Sequence, residues 1–318
     1  MKKILFIGGS LNQSTIVHQV GMHLEKDFDC YYSPYYDDGA IGYLAKQNLL
    51  NFTVLGPNSN YFRQTINYFE NNNLKIDYKG KLNNYDLVIT TSDLIIPRNI
   101  RNKKIILIQE GMTDPENFAF YLAKYLKFPR WIASTSTTGF SDAYKYFCVA
   151  SEGYRDLFIR KGVRPEKIIV TGIPNFDNIE KYNNNNFPYK NFVLAATSDS
   201  RETFKFENRN EFIRKVLKIA QGKQIIFKLH PNEIFDRAIR EIKEIIPDAI
   251  VFTDGDIKPM IANCDVLVTT YSSVVYYGIA LEKEVYSNFD IATLIKMTPI
   301  QNGGTSALKI ANIAKSII

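Results

Sequence analysis

The chain has 318 residues, enough for two domains that each bury a core of their own. Hydrophobic residues make up 45% of it and charged residues 23%, which is ordinary for globular proteins and excludes the disordered and fibrous classes. The formal net charge of +6 comes from scattered lysines and arginines. It falls well short of a nucleic-acid-binding signature, but it permits an anionic ligand or a weak attraction to an acidic membrane surface.

The N-terminal part of the chain alternates short apolar runs with helix-like stretches. The first run is too short for a signal peptide and ends in two glycines, and no stretch approaches the roughly 18 to 20 apolar residues of a membrane span. The runs lack polar alternation, which is typical of parallel strands covered by helices on both faces. We predict strands at residues 2–9, 85–93, 103–111, 144–151 and 166–174, and helices at 14–25, 115–126 and 152–161.

An asparagine-rich stretch at residues 175–190 predicts a linker, and the alternation resumes after it. We predict strands at residues 192–199, 224–231, 249–254, 264–273 and 284–289, and helices at 208–221, 233–246 and 257–262 with one more ending at 281. The sequence therefore predicts two Rossmann-like α/β domains, residues 1–174 and 191–318, facing each other across a cleft. Because ligands of such sheets bind at the carboxyl ends of the strands, the loops there are the candidate sites.

Two loops of the first domain suggest an acceptor side. Gly8 and Gly9 follow the first strand, and either Ser10 or Ser14 is expected to cap the next helix and expose N–H groups to a ligand, although a plain tight turn explains these residues equally well. Gln109, Glu110 and Gly111 follow an aliphatic strand. We expect the Glu110 carboxylate to accept a proton from an attacking hydroxyl. Asp114 is better explained as the cap of a helix that has Pro115 at its first position.

Two further loops lie near the predicted linker. Gly172 and Pro174 end the last strand of the first domain, and their spacing favours a structural hinge over a chemical role. The second domain opens with a hydroxyl-rich loop at residues 196–203, in which Thr197 and Ser198 are candidate ligands. Gly172, Pro174, Thr197 and Ser198 all border the side of the predicted cleft on which we expect a donor ligand to bind.

Two loops of the second domain suggest an anion site. Lys228, His230 and Pro231 stand where a buried strand meets a helix, and a histidine in that position can donate hydrogen bonds to a phosphate. A histidine that only packs and caps is the plainer alternative. Ser272 and Ser273 follow another aliphatic strand, and a simple N-cap needs only one of them. The second serine is therefore left for a ligand.

Three of these loops together resemble the inverting GT-B enzymes that use cytidine nucleotides, namely bacterial sialyltransferases, polysialyltransferases and CDP-glycerol glycerophosphotransferases. The matching residues are His230 with Pro231, Ser272 with Ser273, and Glu110 with Gly111. The resemblance implies that His230 and the serines hold the donor phosphates and that Glu110 deprotonates the acceptor. The sialyltransferase pattern has two acids before the glycine, whereas this chain has Gln109 and then Glu110.

The resemblance implies an inverting glycosyltransferase of surface polysaccharide synthesis that needs neither cofactor nor metal ion. Its partners would be a nucleotide-sugar donor, with a CMP-sugar favoured, and a glycan acceptor, and it would work in the cytoplasm or at the inner membrane face. Three alternatives stay open: a non-hydrolysing UDP-sugar 2-epimerase, a CDP-glycerol-type transferase, and a non-catalytic nucleotide-sugar-binding protein. Three widely spaced cysteines fit a reducing compartment, and we find no convincing Asp-x-Asp motif for a nucleotide-bound metal.

Overall fold

A computed structural model describes residues 1–202 and 206–318 of the chain. These residues form two compact units. Unit 1 comprises Met1–Asp177 and Pro299–Ile318, and unit 2 comprises Asn178–Thr298. The division falls within the predicted linker, but residues 299–318, which we expected in the second domain, belong to unit 1.

Strands and helices alternate along the described residues. The strands are β1 (Lys3–Gly8), β2 (Asp29–Pro34), β3 (Leu87–Thr90), β4 (Lys104–Ile108), β5 (Tyr146–Val149), β6 (Ile168–Val170), β7 (Val193–Ala196), β8 (Ile225–Lys228), β9 (Ile250–Phe252), β10 (Val266–Thr269) and β11 (Glu284–Tyr286). The α-helices are α1 (Leu11–Gly21), α2 (Ala40–Lys46), α3 (Asn60–Asn71), α4 (Phe118–Leu126), α5 (Glu152–Lys161), α6 (Arg209–Ala220), α7 (Phe235–Ile245), α8 (Ile257–Asn263), α9 (Val275–Ala280), α10 (Ile291–Met297) and α11 (Ser306–Ile317). In the part of the chain so described, no helix combines the length and the apolar character needed to cross a membrane.

The sheet of unit 1 is parallel, with the strand order β2-β1-β3-β4-β5-β6. Its central strands are apolar on both faces because helices cover both. The absence of polar alternation in these runs had predicted this arrangement from the sequence. Strand β2 was not among our predictions. Its sequence, DCYYSP, contains no aliphatic run, and it is held at the edge by pairing with β1 and by Tyr32, whose ring stacks on Phe6 at 4.9 Å.

The C-terminal helix α11 returns to unit 1 because a buried carboxylate holds its first turn. Asp177 accepts hydrogen bonds from Ser306 N (2.9 Å), Ser306 Oγ (2.7 Å) and Asn302 N (2.5 Å). Burial alone would raise the pKa of Asp177, but the hydrogen bonds from Ser306, Asn302 and Gly304 outweigh it and lower that pKa. An anion at the N-terminus of a helix pairs with the free N–H groups there, which fixes residues 299–318 in this unit.

Unit 2 also contains a parallel sheet, with the strand order β11-β10-β7-β8-β9. One side of this sheet is covered by α6 and α7. Their apolar residues form one buried cluster with β7, β8 and β10, including Val193, Phe227, Val268, Ile213 and Ile242. Both helices were predicted from the sequence, and they keep polar residues towards solvent.

Helix ends follow local capping. Helix α5 spans the predicted residues 152–161, with Ser151 accepting a hydrogen bond from Tyr154 N and Gly162 in the left-handed conformation at the C-terminus. Helix α4 begins later than predicted, because Asn117 is its N-cap. Asp114 is not a cap as we expected; its carboxylate accepts a hydrogen bond from Thr135 Oγ1 at 2.9 Å.

Candidate functional site

Parallel pairing in unit 2 places the loops after β10, β7 and β8 side by side. Ala196 pairs with Thr269 on one side and with Lys228 on the other. Neighbouring strands are ~4.8 Å apart, so the loops that follow lie at one edge of the sheet. These loops contain six of the predicted residues: Thr197, Ser198, His230, Pro231, Ser272 and Ser273.

His230 is held by its backbone, and its ring is partly exposed. The backbone N–H donates to Glu233 Oε2 (2.9 Å) and to Thr197 Oγ1 (3.1 Å). The ring atom Nδ1 accepts from Asn232 N at 3.3 Å, so the hydrogen-bond pattern assigns the proton of the neutral ring to Nε2. Within the described residues Nε2 has no hydrogen-bond partner, and 38% of the side chain is exposed. The ring can therefore donate a hydrogen bond to a ligand.

A buried ion network lies beneath this loop. Arg209 donates to Glu233 Oε1 at 2.5 Å and to Glu207 Oε1 at 2.6 Å, and all three side chains are nearly inaccessible to solvent. Glu233 also accepts a hydrogen bond from Thr197 Oγ1. Glu207 and Arg209 were not predicted from the sequence, because nothing in their local pattern distinguishes a buried ion pair from solvated charges at a helix start.

Thr197, Ser198 and Lys228 belong to this supporting framework. The Ser198 hydroxyl donates to Glu207 Oε2 at 2.8 Å. The Thr197 hydroxyl donates to Glu233 Oε2 and accepts a hydrogen bond from His230 N. The Lys228 ammonium donates to the carbonyls of Leu229 (2.9 Å) and Thr253 (3.3 Å), and burial lowers its pKa. Their polar atoms hold the loops in place.

Pro231 is exposed in the turn between β8 and α7. The helix after it starts at Phe235, with Ile234 in the capping position and no side-chain capping bond. The turn is closed instead by Glu233 N, which donates to the carbonyl of His230 at 3.0 Å. Pro231 therefore shapes the turn that presents the histidine.

Ser272 and Ser273 form a turn just before α9, which begins at Val275. Ser272 Oγ accepts a weak hydrogen bond from Val274 N at 3.4 Å. The carbonyl of Ser273 accepts from Tyr276 N at 3.1 Å, while its hydroxyl makes no hydrogen bond to the residues that the structure describes. Two hydroxyl donors are therefore open at the same edge as His230.

A cavity of about 270 Å³ adjoins this serine turn. Its wall includes Thr270 and Tyr271, which directly precede the serines, and Glu211 and Lys215 from α6. The Thr270 hydroxyl is buried without a hydrogen-bond partner in the described part of the chain. A buried donor of this kind is costly, and a ligand or water in the cavity can satisfy it.

In unit 1, Glu110 lies at the carboxyl end of β4 and is half-buried. Its carboxylate accepts hydrogen bonds from Gln13 Nε2 (2.6 Å), Ser10 Oγ (3.2 Å) and Asn12 Nδ2 (3.3 Å). All three donors belong to the loop after β1 and the first turn of α1. The contacts fix the direction of the carboxylate and join the two loops.

The neighbours of Glu110 are structural. Gln109 is buried, and its amide donates to the carbonyl of Gly111 (2.7 Å) and accepts from Ala150 N (2.9 Å). These two bonds clamp the loops after β4 and β5. Of the two predicted cap candidates, Ser10 is the N-cap of α1, and it accepts from Gln13 N at 3.2 Å.

Gly8 and Gly9 are required by close approach of the chain. A Cβ atom at Gly8 would lie 2.9 Å from Ser14 N, and one at Gly9 would lie 2.7 Å from Tyr35 Cβ. Gly9 N also donates to Gln13 Oε1 at 2.7 Å. The glycines therefore allow α1 to pack closely on the end of β1.

Gly172 and Pro174 both lie in unit 1. Gly172 has a φ of +80°, and a Cβ atom there would collide with Ser306 Oγ of the returning C-terminal segment. Pro174 is buried at the start of a 3-10 turn. Asn175, in the same turn, donates to Asn12 Oδ1 at 2.7 Å. These contacts hold the end of β6 within unit 1.

The histidines of unit 1 and the three cysteines of the chain are not part of the loops described above. His18 is in the last turn of α1, where Nδ1 is 2.9 Å from Tyr68 Oη and burial lowers the pKa of the ring. His23 is exposed beyond that helix. The three cysteines are buried and free, and no cluster of His, Cys, Asp and Glu suited to a metal ion occurs in residues 1–202 and 206–318.

No protein-family model matches the sequence, and a search of curated proteins found no similar chain. Solved structures do match. The UDP-GlcNAc 2-epimerase of Methanocaldococcus jannaschii, in complex with UDP-GlcNAc and UDP, has a TM-score of 0.59 and 16% identity, with 99% of this chain and 100% of that chain covered. The UDP-GlcNAc 2-epimerase from Neisseria meningitidis, bound to UDP-GlcNAc, has a TM-score of 0.59 and 11% identity over the same shares.

The wall teichoic acid polymerase TagF matches with a TM-score of 0.53 and 12% identity, over 99% of this chain and 88% of its own. At such identities the similarity shows the fold alone. The chain has the GT-B type of fold, with two Rossmann-like parallel α/β units, and this prediction from the sequence is confirmed.

Proposed function

We propose that the chain is a transferase that uses a nucleotide-activated sugar and binds the donor phosphates at the carboxyl edge of unit 2. One observation supports this most directly. His230 Nε2 and the hydroxyl of Ser273 both lack hydrogen-bond partners among the described residues, and both follow strands of one parallel array. Open donors on a rigid framework are what an anionic leaving group requires.

In this proposal the imidazole and the serines stabilise the departing nucleotide phosphate. Asp199 Oδ2 lies 3.7 Å from His230 Nδ1, so the carboxylate faces the ring nitrogen that gains a proton when the histidine becomes positively charged. A protonated His230 would neutralise part of the phosphate charge. The cavity beside Thr270 and Tyr271 offers room for a neutral part of the ligand.

Glu110 is the proposed general base for the acceptor hydroxyl. Its hydrogen bonds from Ser10, Asn12 and Gln13 fix its direction. An ionised and oriented carboxylate can take the acceptor proton as the new bond forms. Inversion at the donor carbon follows if the hydroxyl attacks opposite the leaving phosphate.

This proposal specifies neither the nucleotide of the sugar donor nor the acceptor. The sequence resemblance favours a CMP-sugar and a glycan acceptor, with glycerophosphate transfer as a close variant. The two epimerase structures instead contain UDP-GlcNAc. A UDP-sugar 2-epimerase is therefore the second candidate.

The epimerase alternative requires acids and a histidine around the sugar ring in unit 1. His18 is paired with Tyr68 at the far end of α1, and His23 is exposed beyond it. Neither follows the carboxyl end of a strand, which favours the transferase.

A panel of CMP, CDP, UDP and GDP in thermal-shift measurements tests the proposal, because a ligand stabilises the folded state by RT ln(1 + [L]/Kd). We expect at least one nucleotide to raise the melting temperature. His230→Ala should weaken that nucleotide by about 10- to 150-fold, since hydrogen bonds to charged groups contribute about 1.5–3 kcal/mol. His23→Ala, an exposed histidine of unit 1, is the matched control. Stabilisation by none of the four, or an equal loss in both variants, would contradict the proposal.

A further inference from the structure

Helix α4 and the 3-10 segment after it form an exposed apolar surface on unit 1. We call residues 118–132 the aromatic-basic patch. Seven large hydrophobic side chains of this short stretch are exposed: Phe118, Tyr121, Tyr125, Leu126, Phe128, Trp131 and Ile132. No other stretch of this length in the described residues exposes as many. Large exposed apolar patches mark interaction sites.

The patch departs from the pattern of an ordinary surface helix. Helix α4 buries Phe120 and Ala123 against Ala133, which accounts for one face. On a typical surface helix the opposite face is polar. Here it presents Phe118, which is 77% exposed, and Tyr125, which is 68% exposed. The helix is therefore apolar on the side that faces solvent as well.

The charges of the patch are all positive. Lys124, Lys127 and Arg130 are interspersed with the aromatic residues, and residues 118–132 contain no aspartate or glutamate. The Arg130 guanidinium donates from Nη2 to the carbonyl of Asp93 at 3.0 Å, so the two lysines are the charges that the patch presents to solvent. Lys124 Nζ lies 5.6 Å from the ring centroid of Tyr125, which places the ammonium beside an exposed aromatic ring. Helix α4 ends where Lys127 adopts a left-handed conformation.

We propose that the aromatic-basic patch docks unit 1 on the surface of a bilayer that contains anionic lipid. Tryptophan and tyrosine favour the bilayer–water interface, and lysine and arginine are attracted to anionic headgroups. The nine residues of α4 are far fewer than the roughly 20 that span a bilayer, so the helix lies in the interface. The docking does not depend on the proposed transferase activity.

Composition favours a bilayer over a protein partner. Protein interfaces are depleted in lysine, whereas aromatic residues mixed with lysine and arginine are typical of helices that lie on a membrane. A symmetric pair of patches would also bring like charges together, those of Lys124 and Lys127 on each copy. An anionic surface matches both the apolar and the charged residues.

The patch contains its own probe, because Trp131 is the one tryptophan of the sequence. The full chain is mixed with vesicles of phosphatidylcholine alone, or of phosphatidylcholine and phosphatidylglycerol in equal parts. We expect sedimentation with the anionic vesicles, a blue shift of Trp131 fluorescence and release by high salt. Absence of binding to anionic vesicles, or binding without a fluorescence change, would overturn the proposal.

Two variants separate the apolar and charged contributions. Phe118→Ser with Tyr125→Ser and Phe128→Ser should weaken partitioning about tenfold or more, because it removes apolar area that enters the interface. Lys124→Ala with Lys127→Ala should weaken it about fivefold for each charge. Both keep Trp131 as the reporter.

The matched control changes three exposed apolar residues of unit 2, Leu217→Ser, Ile234→Ser and Ile295→Ser, and should leave partitioning unchanged. Circular dichroism confirms that each variant is folded. If the control loses binding as strongly as the patch variants, the patch is not the docking surface. If the apolar variant instead converts a dimer of the free protein to a monomer, the patch is an interface between copies and the proposal fails.

Discussion

The carboxyl edges of the two sheets use buried or half-buried acids in different ways. In unit 1, Glu110 lies at the edge itself, and donors from the loop after β1 and the first turn of α1 surround it. In unit 2, Glu233 lies beneath the edge, where it fixes the backbone N–H of His230 and pairs with Arg209. The acid of unit 1 is thus part of the surface, whereas the acid of unit 2 supports the residues that form it.

The two edges therefore differ in what their polar groups do: those around Glu110 orient one another, whereas those around His230 leave donors that can bind a ligand. At the edge of unit 1 the Glu110 carboxylate and the Gln109 amide are paired with neighbouring groups, so both side chains are held in fixed directions. The edge of unit 2 uses its buried ions for support and leaves His230 Nε2 and the Ser273 hydroxyl without partners in the described residues. A phosphate fits the second arrangement better than the first, because His230 Nε2 is partly exposed and has no partner in the described residues.

The strongest test of the comparison is Glu110→Gln. If the carboxylate is the base, turnover should fall about 10²- to 10⁴-fold, while donor affinity should change little because the proposed donor site lies in unit 2. Turnover is measured as nucleotide release from the nucleotide sugar that the thermal-shift panel identifies. Asn12→Ala removes one donor to the same carboxylate but keeps its charge, so it should lower turnover only a few-fold. Equal losses in the two variants would show that Glu110 acts only as a structural link.

The supporting role of Glu233 predicts a large loss of stability in unit 2. Glu233→Ala leaves Arg209 buried with only part of its charge compensated, and the free energy of unfolding should fall by about 3–5 kcal/mol. Urea unfolding followed by far-ultraviolet circular dichroism measures the loss, while Trp131 fluorescence reports on unit 1. Glu244→Ala, an exposed acid near the end of α7, should change stability by less than about 0.5 kcal/mol. A loss below about 1 kcal/mol in Glu233→Ala would contradict the supporting role.

Asp177 gives the corresponding structural acid of unit 1. Asp177→Asn keeps one accepting oxygen and should lower the free energy of unfolding by about 1–3 kcal/mol at neutral pH. Because the folded state lowers the pKa of Asp177 below its ordinary value of 3.8, the carboxylate stabilises fully above that value and loses its effect as the pH falls through the lower folded pKa. The difference between wild type and variant in urea unfolding, followed by Trp131 fluorescence, should therefore shrink below about pH 4.

The control for this pH dependence is Asp156→Asn, an exposed acid on α5 with no ion pair among the described contacts. Its effect on stability should be small at every pH. A gap between Asp177→Asn and wild type that stays constant from pH 7 to pH 3 would rule out the carboxylate as its source.

Two serines give the smallest and most direct comparison. Ser10→Ala removes the N-cap of α1 and should cost about 1 kcal/mol of stability without changing nucleotide affinity. Ser273→Ala removes a hydroxyl with no partner in the described residues and should weaken the bound nucleotide about tenfold without changing stability. Melting temperatures with and without nucleotide measure both. The reverse pattern would place the ligand on unit 1.

Much of the fold could be predicted because buried parallel strands leave a local signal. Runs such as residues 103–111 and 264–273 contain consecutive aliphatic residues, since both of their faces are covered. Strand β2 was not predicted because its DCYYSP sequence has tyrosines in place of aliphatic residues. Residues 299–318 were expected in the second domain, because their partner Asp177 is distant in the chain and no local pattern indicates the contact.

The sequence by itself determined the alternation of strands and helices, the parallel character of the sheets and the loops in which Glu110, His230 and Ser273 lie. These features depend on residues close together in the chain. Only the tertiary structure decided which polar atoms are already paired. Thr197, Ser198 and Lys228 proved to be supports and His230 Nε2 an open donor, because each hydrogen bond depends on groups that other strands bring to the same edge.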